Sequence, residues 1–529
     1  MKKRFVFCFF ITALLYLALP AKAGAGLPIV PKPLSEKITG NNISFSNNLK
    51  VFISPNSKLN EAYLRSIFNE IGLQTVIVKS KREAQLSFKI GSCFSENREA
   101  YTLIVDKKGR IDAVANSRTG LIYAAQSLRQ IIKNDNGKFV VPCCVINDKP
   151  AFEWRAYMQD ESRHFQGMET VKKLLNEMAR IKLNTLHWHL VDDQGWRIEI
   201  KKYPLLTSIG SKRDNSNWGI TPADWDKKYP GKKTYYTQKE IKEIVQYARD
   251  RGIKVVPEFE IPGHSSAAID SYPWLSSAYN KDGKQNKSNI YNITNPKVET
   301  FIHDVLNEII ALFPSKIIHI GGDEVDYSQW QNNPDIMKFM ADNNIPTCPD
   351  LQIWSINRIS KYITSKGCRM MGWNEITGDN IRNEANRESG QTEKLTPGTI
   401  VHFWDGALSL VNKAVEKGYD VVNSNRLYTY LDYGYETTSL SKAYSFNPIP
   451  EGLPQQDEKK ILGFGCQMWG EGTPTAERVY FQVFPRIAAL AECGWTKNDQ
   501  KDLNDFMSRF TTSLEPWWKA NGFINTQKY

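Results

Sequence analysis

From residue 151 onward, the chain alternates short apolar runs with longer amphipathic stretches. The runs have the lengths of buried strands, and apolar residues recur at helical spacing in most of the stretches between them. Regular alternation of strand and helix predicts a parallel sheet, and eight such units over about 350 residues predict a (β/α)8 TIM barrel. The runs are RAYM, NTLHWHLVDD, KVVPEFE, KIIHIGG, RMMGWNE, TIVHFWD, YDVVNSN and ILGFGCQMWGE.

Two of the helical stretches carry specific start signals. Thr237 and Glu240 fit a capping box, in which two side chains satisfy backbone N–H groups at the helix start, and Gly252 suits the helix end. Pro296 lies where the first turn of another helix is expected. These signals predict helices that begin at Thr237 and near Pro296.

The N-terminal part of the chain has a different character, since the first of the 14 tryptophans is Trp154. The segment YTLIVDKKGRIDAVA reads as two strands around a Lys-Lys-Gly turn. Leu121, Ala125, Leu128 and Ile132 then recur at helical spacing. We predict three regions after a short leader: a small α/β domain over 24–150, the barrel over 151–500, and a C-terminal helix or tail over 501–529.

The leader, residues 1–23, has the pattern of a secretory signal peptide. Lys2, Lys3 and Arg4 precede an apolar stretch from Phe5 to about Leu19, and Ala21-Lys22-Ala23 is a small-x-small cleavage site. No later segment reaches the length of a membrane span. We therefore expect an exported protein without a membrane span, in the periplasm, at the cell surface or in the medium.

Charge changes this picture little. The formal net charge is +11, but the basic residues are interspersed with acids and form no Lys/Arg block suited to nucleic acid. The eight cysteines include no C-x-x-C pair, and their spacing does not establish any disulfide pairing. A nucleic-acid partner is therefore not expected.

Chemically capable side chains recur where the predicted strands end. In a TIM barrel, the carboxyl ends of the strands form the active face. Tryptophan rings beside carboxylates suit a pyranose, which has C–H faces and hydroxyl edges, so carbohydrate is the favoured substrate class. The candidates are Arg163, His187, His189, Asp192, Asp193, Glu258, Glu260, Asp323, Glu324, Trp373, Asn374, Glu375, Trp404, Asp405, Trp469 and Glu471, with Trp188 as a fourth tryptophan near a strand end.

Asp323 and Glu324 stand side by side at the end of the fourth predicted strand. Side chains of adjacent residues leaving a strand point in different directions, so the two carboxylates need not share one proton. Glycosidases commonly use two carboxylates, but neighbours are awkward to place on both faces of a sugar. The pair favours a scheme in which one residue transfers protons and the other positions part of the substrate.

Seven motifs in this order resemble those of the family 20 β-N-acetylhexosaminidases. The resemblance spans most of the chain, and it implies hydrolysis of terminal, non-reducing β-linked GlcNAc or GalNAc in glycans by an exo-acting enzyme without a cofactor. In that family the substrate's acetamido oxygen is the nucleophile, so the reaction passes through an oxazolinium intermediate and retains configuration. The motifs are SRHF, HWHLVDDQGWR, VPEFEIPGH, GGDEV, GWNE, YLDY and QMWGE.

The resemblance also implies a role for each site residue. Glu324 would be the general acid and base, and Asp323 would orient the acetamido N–H. Tyr430 would hold the acetamido oxygen, and Asp192 and His264 would support Glu324. The remaining substrate-binding residues are the aromatic box of Trp373, Trp404 and Trp469, and the hydroxyl-binding Arg163, Asp432 and Glu471.

Other interpretations remain open at this stage. His187 and His189 in HWH resemble the H-x-H pair of metal-dependent barrel amidohydrolases, with Asp192, Asp193 and His264 as further ligands. A lacto-N-biosidase type of family member would share the same motifs, and a glycan-binding protein without catalysis would share the aromatic residues. The sequence does not settle GlcNAc against GalNAc, or the oligomeric state.

Overall fold

Eight parallel strands close into a barrel in the computed structural model, which describes residues 26–217, 219–278, 288–382, 387–390 and 393–525. The predicted signal peptide over 1–23 lies outside the described residues. The predicted (β/α)8 barrel with a preceding α/β domain is confirmed.

An eight-stranded sheet forms the N-terminal part. Two helices accompany it, α1 (Glu61–Asn69) and α2 (Arg118–Ile131). Its strands are β1 (Ser35–Phe45), β2 (Leu49–Ile53), β3 (Thr75–Val78), β4 (Leu86–Ile90), β5 (Tyr101–Val105), β6 (Ile111–Ala115), β7 (Lys133–Asp135) and β8 (Lys138–Asp148). The strand order is β1-β8-β5-β6-β4-β2-β3, with β7 paired to β8, and the predicted hairpin corresponds to the antiparallel pair β5 and β6.

Among the described residues, the second part of the chain supplies ten strands, of which β11 and β12 form a separate two-stranded hairpin. The other eight close the barrel in the order β10-β13-β14-β15-β16-β17-β18-β9. Seven of them fall within a predicted apolar run, and β9 extends beyond the run RAYM at both ends. The strands are β9 (Trp154–Asp160), β10 (Thr185–His189), β11 (Val191–Asp192), β12 (Gly195–Trp196), β13 (Lys254–Glu258), β14 (Ile317–His319), β15 (Arg369–Trp373), β16 (Ile400–Phe403), β17 (Asp420–Asn423) and β18 (Ile461–Met468).

Helices connect and surround these strands. They are α3 (Met168–Arg180), α4 (Leu205–Ser208), α5 (Pro222–Lys228), α6 (Gln238–Asp250), α7 (Ser266–Ser271), α8 (Pro296–Leu312), α9 (Ser328–Gln331), α10 (Pro334–Asp342), α11 (Cys348–Ser365), α12 (Ser409–Glu416), α13 (Arg426–Thr429), α14 (Leu440–Tyr444), α15 (Ala476–Val483), α16 (Arg486–Trp495), α17 (Leu503–Ser513) and α18 (Glu515–Ala520). Short 3-10 turns cover Pro55–Ser57, Asn215–Asn217, Pro273–Leu275, Asn374–Thr377, Gln455–Lys460 and Asn498–Gln500.

Local sequence signals explain where these helices begin. The predicted capping box is present at α6, because Thr237 accepts a hydrogen bond from the Glu240 N–H while the Glu240 carboxylate accepts one from the Thr237 N–H. Ile241, Ile244 and Ala248 of α6 are fully buried, as an amphipathic helix packed on a barrel requires. Pro296 is the first residue of α8.

A buried polar junction ties the N-terminal sheet to the barrel. Asp148, the last residue of β8, accepts hydrogen bonds from Lys182 Nζ at 2.8 Å and from Trp495 Nε1 at 2.9 Å. Both side chains of the Asp148–Lys182 pair have an exposed fraction of 0%. Within the described part of the chain, we find no helix with the length and apolar character needed to cross a membrane.

Candidate active site

The carboxyl ends of all eight barrel strands contribute to one cavity of about 400 Å³. This is the geometry expected of a TIM barrel, since the loops after the strands meet on one face. Every residue to which the family resemblance assigns a role lines this cavity, while the chemical roles themselves stay predictions. Of the other strand-end candidates, none lines it; they are His187, Trp188, His189, Asp193, Glu258, Glu260, Asn374, Glu375 and Asp405. The lining residues are Arg163, Asp192, His264, Asp323, Glu324, Trp373, Trp404, Tyr430, Asp432, Tyr433, Trp469, Glu471 and Gly472.

The backbone after β14 is shaped by two glycines. Gly321 and Gly322 have φ values of +66° and +95°, and a β-carbon on Gly321 would collide with the carboxylate of Glu260. Glu324 itself has a φ of +49°, an uncommon value for a residue with a side chain. This turn separates the environments of the two acids: the Asp323 side chain is 11% exposed and the Glu324 side chain 42% exposed.

His264 connects three carboxylates at the floor of the cavity. Its Nδ1 lies 3.2 Å from Asp192 Oδ1, and its Nε2 lies 3.7 Å from both Asp323 Oδ2 and Glu324 Oε2. Burial lowers the pKa of His264, but the charge of Asp192 and its hydrogen bonds outweigh burial and raise that pKa well above its usual value. The raised pKa favours the imidazolium form of His264, whose charge offsets part of the acidic cluster.

Asp323 is the buried member of the acidic pair. Burial raises the pKa of Asp323 to about 6; His264 opposes this shift, and the charge of Glu324 adds to it. Its Oδ1 atom is buried and accepts no hydrogen bond from any described residue. Asp323 therefore presents an unsatisfied acceptor inside the cavity.

Aromatic rings form a cage around one end of the cavity. Trp373, Trp404 and Tyr430 make one buried cluster, and Trp469 packs against it. The rings of Trp404 and Tyr430 are stacked with centroids 6.3 Å apart, and Trp373 and Trp469 lie 5.9 Å apart. Trp188 does not belong to this cage, because it is fully buried and packs on Tyr236.

Polar groups also line the cavity. Arg163 Nη2 lies 2.8 Å from Asp192 Oδ2, and Arg163 Nε lies 3.7 Å from Glu471 Oε1. Burial raises the pKa of Asp432 to about 7, and its Oδ1 accepts no hydrogen bond within the described structure. Charged and hydrogen-bonding groups thus lie beside the aromatic cage, and the Arg163 guanidinium carbon lies 4.9 Å from the centre of the Trp469 ring.

A buried histidine cluster lies beneath the aromatic cage. Glu258 lies 3.0 Å from His187 Nε2 and 2.9 Å from His319 Nδ1, and it also contacts His189 Nδ1. The other ring nitrogen, His189 Nε2, lies 2.8 Å from Asp192 Oδ2. Burial lowers the pKa of His189, but Glu258 and Asp192 more than offset this and raise it to about 10.

This cluster bears on the metal hypothesis. His187 and His189 do not line the cavity, and a protonated His189 has no lone pair to offer a metal ion. Donor groups that could hold an ion do occur, including His187 with His319 and His402, and Asp192 with Asp193 and His264. Asp192 is already paired with the Arg163 guanidinium, however, which makes that group a poor cation site.

Three further residues belong to the site although the sequence assigned them no role. Glu260 is buried behind Gly321, and burial together with the charge of Asp323 raises its pKa well above the usual value. Glu375 accepts a hydrogen bond from Trp404 Nε1 at 3.1 Å. The sequence indicates Glu260 and Glu375 as candidates because both lie at the ends of predicted strands. Arg382, which is paired with Glu324, lies in a loop without any recognisable motif.

Two regions of the chain match models of known domains. Residues 152–498 match the glycosyl hydrolase family 20 catalytic domain, and residues 26–149 match domain 2 of the same family. The chain belongs to glycoside hydrolase family 20. The family resemblance inferred from the motifs is thereby confirmed.

Curated relatives and solved structures agree with this assignment. A protein named beta-hexosaminidase from Vibrio furnissii is 36% identical over 75% of this chain and 65% of its own length. Another beta-hexosaminidase, from Porphyromonas gingivalis, is 32% identical over 92% of this chain and 62% of its own length. The chain thus spans less than two thirds of these family 20 relatives.

A solved structure shows the fold relation. The family 20 exo β-N-acetylglucosaminidase from Vibrio harveyi, in complex with N-acetylglucosamine, has a TM-score of 0.81 and 29% identity. The match covers 95% of this chain and 78% of that structure. The N-terminal sheet and the barrel therefore occur together in both proteins.

Proposed function

We propose that this family 20 protein is an exo-acting β-N-acetylhexosaminidase that removes terminal β-linked GlcNAc or GalNAc from glycans by substrate-assisted, retaining catalysis. The proposal rests mainly on Asp323 Oδ1, a buried acceptor without a donor among the described residues, in a cavity with an aromatic cage. An acetamido N–H supplies the missing donor. Trp373, Trp404 and Tyr430 would then enclose its methyl and carbonyl groups.

Each step of the reaction uses groups already placed. Glu324 protonates the leaving oxygen, while the acetamido oxygen attacks the anomeric carbon and displaces the leaving sugar. Asp323 hydrogen-bonds the acetamido N–H and stabilises the positive charge that develops on the resulting oxazolinium ring. Glu324 then accepts a proton from water, which opens the ring at the anomeric carbon and restores the β configuration.

The spacing of the acids favours this scheme over direct inversion. Carboxylate oxygens of Asp323 and Glu324 both lie within 4.8 Å of one another and of His264 Nε2. Inverting glycosidases separate their carboxyl groups by roughly 6.5–9.5 Å to make room for a water molecule. The spacing therefore supports retention of configuration. The unsatisfied Asp323 Oδ1, rather than the spacing, supports the substrate's acetamido group as the nucleophile.

A series of aryl β-glycosides tests the proposal. The GlcNAc and GalNAc compounds should be cleaved, whereas the β-glucoside should be essentially inert because it lacks an intramolecular nucleophile worth about 7–11 kcal/mol. Proton NMR of the first product should show the β-anomer before mutarotation. Ready cleavage of the β-glucoside, or the α-anomer as first product, would contradict substrate assistance.

Two controls accompany this measurement. Glu324→Gln should abolish most of the activity, which excludes a contaminating glycosidase as its source. Prolonged treatment with a chelator should leave activity intact, and loss that zinc restores would favour the H-x-H metal hydrolase instead.

The proposal includes export of the protein after cleavage of residues 1–23. A mature N-terminus near Gly24, determined by mass spectrometry of the natural protein, is the expected result.

A further inference from the structure

Arg382 is a cation in direct contact with the proposed general acid. Its Nη2 lies 2.8 Å from Glu324 Oε1, and its Nε lies 3.2 Å from Asp405 Oδ2. Its guanidinium carbon stacks 4.8 Å from the centre of the Trp404 ring. The Arg382 side chain is 38% exposed, so solvent and ligands can reach it.

Arg382 lies beyond Glu324 from the proposed sugar site. Glu324 lines both the cavity of about 400 Å³ and a second cavity of about 230 Å³, and Arg382 lines only the second. The acid must touch the glycosidic oxygen, so the leaving sugar begins beside Glu324. The Arg382 guanidinium is therefore one hydrogen bond away from the atom that protonates the leaving sugar.

The reaction changes the charge balance around Arg382. Glu324 must hold a proton to act as an acid, and it then carries no negative charge. Arg382 would keep one carboxylate, Asp405, which it shares with Arg426, whose Nε lies 2.7 Å from Asp405 Oδ1. The guanidinium groups of Arg382 and Arg426 would then share the single carboxylate of Asp405, so this part of the site would carry one positive charge without a partner.

Arg382 also has hydrogen-bonding capacity in reserve. Within the described part of the chain, its Nη1 group donates to no acceptor, although a guanidinium offers five N–H donors. A planar fork of this kind binds carboxylate and sulfate-like groups through paired, charge-assisted hydrogen bonds. The position, the missing charge and the unused donors together call for an anion on the leaving sugar.

We propose that Arg382 forms a leaving-sugar subsite for an anionic group, and that the protein prefers β-N-acetylhexosaminides linked to an acidic sugar such as a hexuronic acid. This inference rests on the proposed function, since it uses Glu324 as the acid. The anion pairs with Arg382 when Glu324 is protonated, and it departs with the leaving sugar once that sugar diffuses away.

Two disaccharides that differ in one group test the preference. In β-GlcNAc-(1→4)-glucuronic acid and β-GlcNAc-(1→4)-glucose, the leaving sugars differ only in a carboxylate against a CH2OH group. We expect kcat/KM to be roughly tenfold higher for the acidic compound. A difference of this size is what one charge-assisted hydrogen bond at a partly exposed site typically produces. The preference should shrink at high salt, because the interaction is screened.

Substitutions of Arg382 test whether this residue causes the preference for the acidic disaccharide. Arg382→Gln should bring the ratio of the two kcat/KM values close to one, and Arg382→Lys should keep part of it. Arg358→Gln is the matched control: Arg358 is also partly exposed, pairs with a carboxylate (Glu299) and stacks on a tryptophan (Trp354), but it makes no contact with Glu324 in the described structure, so the ratio should persist. A wild-type ratio near one, or a ratio that Arg382→Gln leaves intact, would overturn the proposal.

A third substrate distinguishes the kind of anion. β-GlcNAc-(1→4)-glucose with a 6-O-sulfate on the glucose shows whether the subsite binds sulfate esters as well as carboxylates. A preference for neither acidic compound over the neutral one would overturn the proposal. Failure of the proposed function looks different, because the aryl β-GlcNAc compound would then not be cleaved at all.

Discussion

Asp323 and Glu324 are adjacent in the chain but work in different surroundings. Asp323 is buried against His264 and the aromatic cage, whereas Glu324 reaches toward solvent and Arg382. The difference arises from a backbone turn in which Gly321, Gly322 and Glu324, on either side of Asp323, have positive φ values. Adjacent acids can thus have separate tasks without a second strand to carry one of them.

The sequence could place most of the site but not all of it. Residues in motifs at strand ends, such as Trp373 and Glu471, were identified because barrel topology brings strand ends together. Arg382 was not, since its position depends on how a long loop folds back over Trp404. Trp188 was an attractive candidate by residue type, but its side chain points to the outer layer and packs on Tyr236.

The acidic limb of the pH profile should belong to Asp323. A raised pKa means that Asp323 is protonated below about pH 6, and the protonated acid cannot stabilise a positive charge. We expect kcat/KM to fall as the pH drops through about 6. Asp323→Asn should lower turnover roughly 10²–10³-fold, as loss of one electrostatic stabiliser does, and should remove this limb.

Asp326→Asn is a suitable control for that measurement. Asp326 is an exposed acid three residues further on, hydrogen-bonded to the Ser328 N–H, and its replacement should leave both turnover and the limb unchanged. A limb that persists unchanged in Asp323→Asn would show that another group titrates. Unchanged turnover with only a raised KM would make Asp323 a simple binding residue.

At the scale of elements, strands were easier to predict than the loops that follow them. Alternating apolar runs and capping signals depend on neighbouring residues, so β10 and α6 could be located from local sequence alone. The segments 209–234 and 377–397 had no such pattern. The first contains α5, which begins with a Thr221 cap and Pro222, and a 3-10 turn. The chain before both is held by Arg197, which donates hydrogen bonds to the carbonyls of Ser211 and Arg213.

The loop after β14 should tolerate no side chain at Gly321. Gly321→Ala would place a methyl group against the Glu260 carboxylate and hold alanine at a φ of +66°, which costs about 1–2 kcal/mol in strain alone. Asp323 and Glu324 would shift with the loop. We expect kcat/KM to fall about 10²-fold, the effect of a displacement near 1 Å, in a protein that still folds.

Gly109→Ala provides the matched control. Gly109 has a φ of +82° in the β5–β6 turn, and no atom lies within 4 Å of the position that its β-carbon would take. This variant should lose similar stability in a thermal melt and keep full activity. Equal activity of the Gly321 and Gly109 variants would mean that the loop adapts without moving the two acids.

At the scale of the whole molecule, a buried ion pair is among the contacts that join the N-terminal sheet to the barrel. Asp148 from β8 meets Lys182 and Trp495 from the barrel, and Tyr101 donates a hydrogen bond to the same carboxylate. Burial lowers the pKa of Lys182, although Asp148 opposes the shift. No sequence pattern pairs these residues, because the contact exists only once both parts have folded.

Breaking this ion pair should therefore destabilise both parts together. Asp148→Asn keeps the shape of the side chain but leaves the Lys182 ammonium unpaired in a site with 0% exposure, a change that typically costs about 3–5 kcal/mol. Urea unfolding, followed by tryptophan fluorescence for the barrel and by hydrogen exchange for the Trp-free sheet, should show both parts unfolding at the same, lower urea concentration.

The double variant Asp148→Asn/Lys182→Met should recover part of the lost stability, because it removes the unpaired charge. Asp342→Asn, which breaks the exposed Lys338–Asp342 pair, should leave the unfolding curve where it was. Separate transitions for the sheet and the barrel in Asp148→Asn would instead mean that the two parts are coupled mainly through this pair. An unchanged midpoint would mean that other contacts between them, such as Arg180 with Glu70 and Arg155 with Glu99, hold the two parts together.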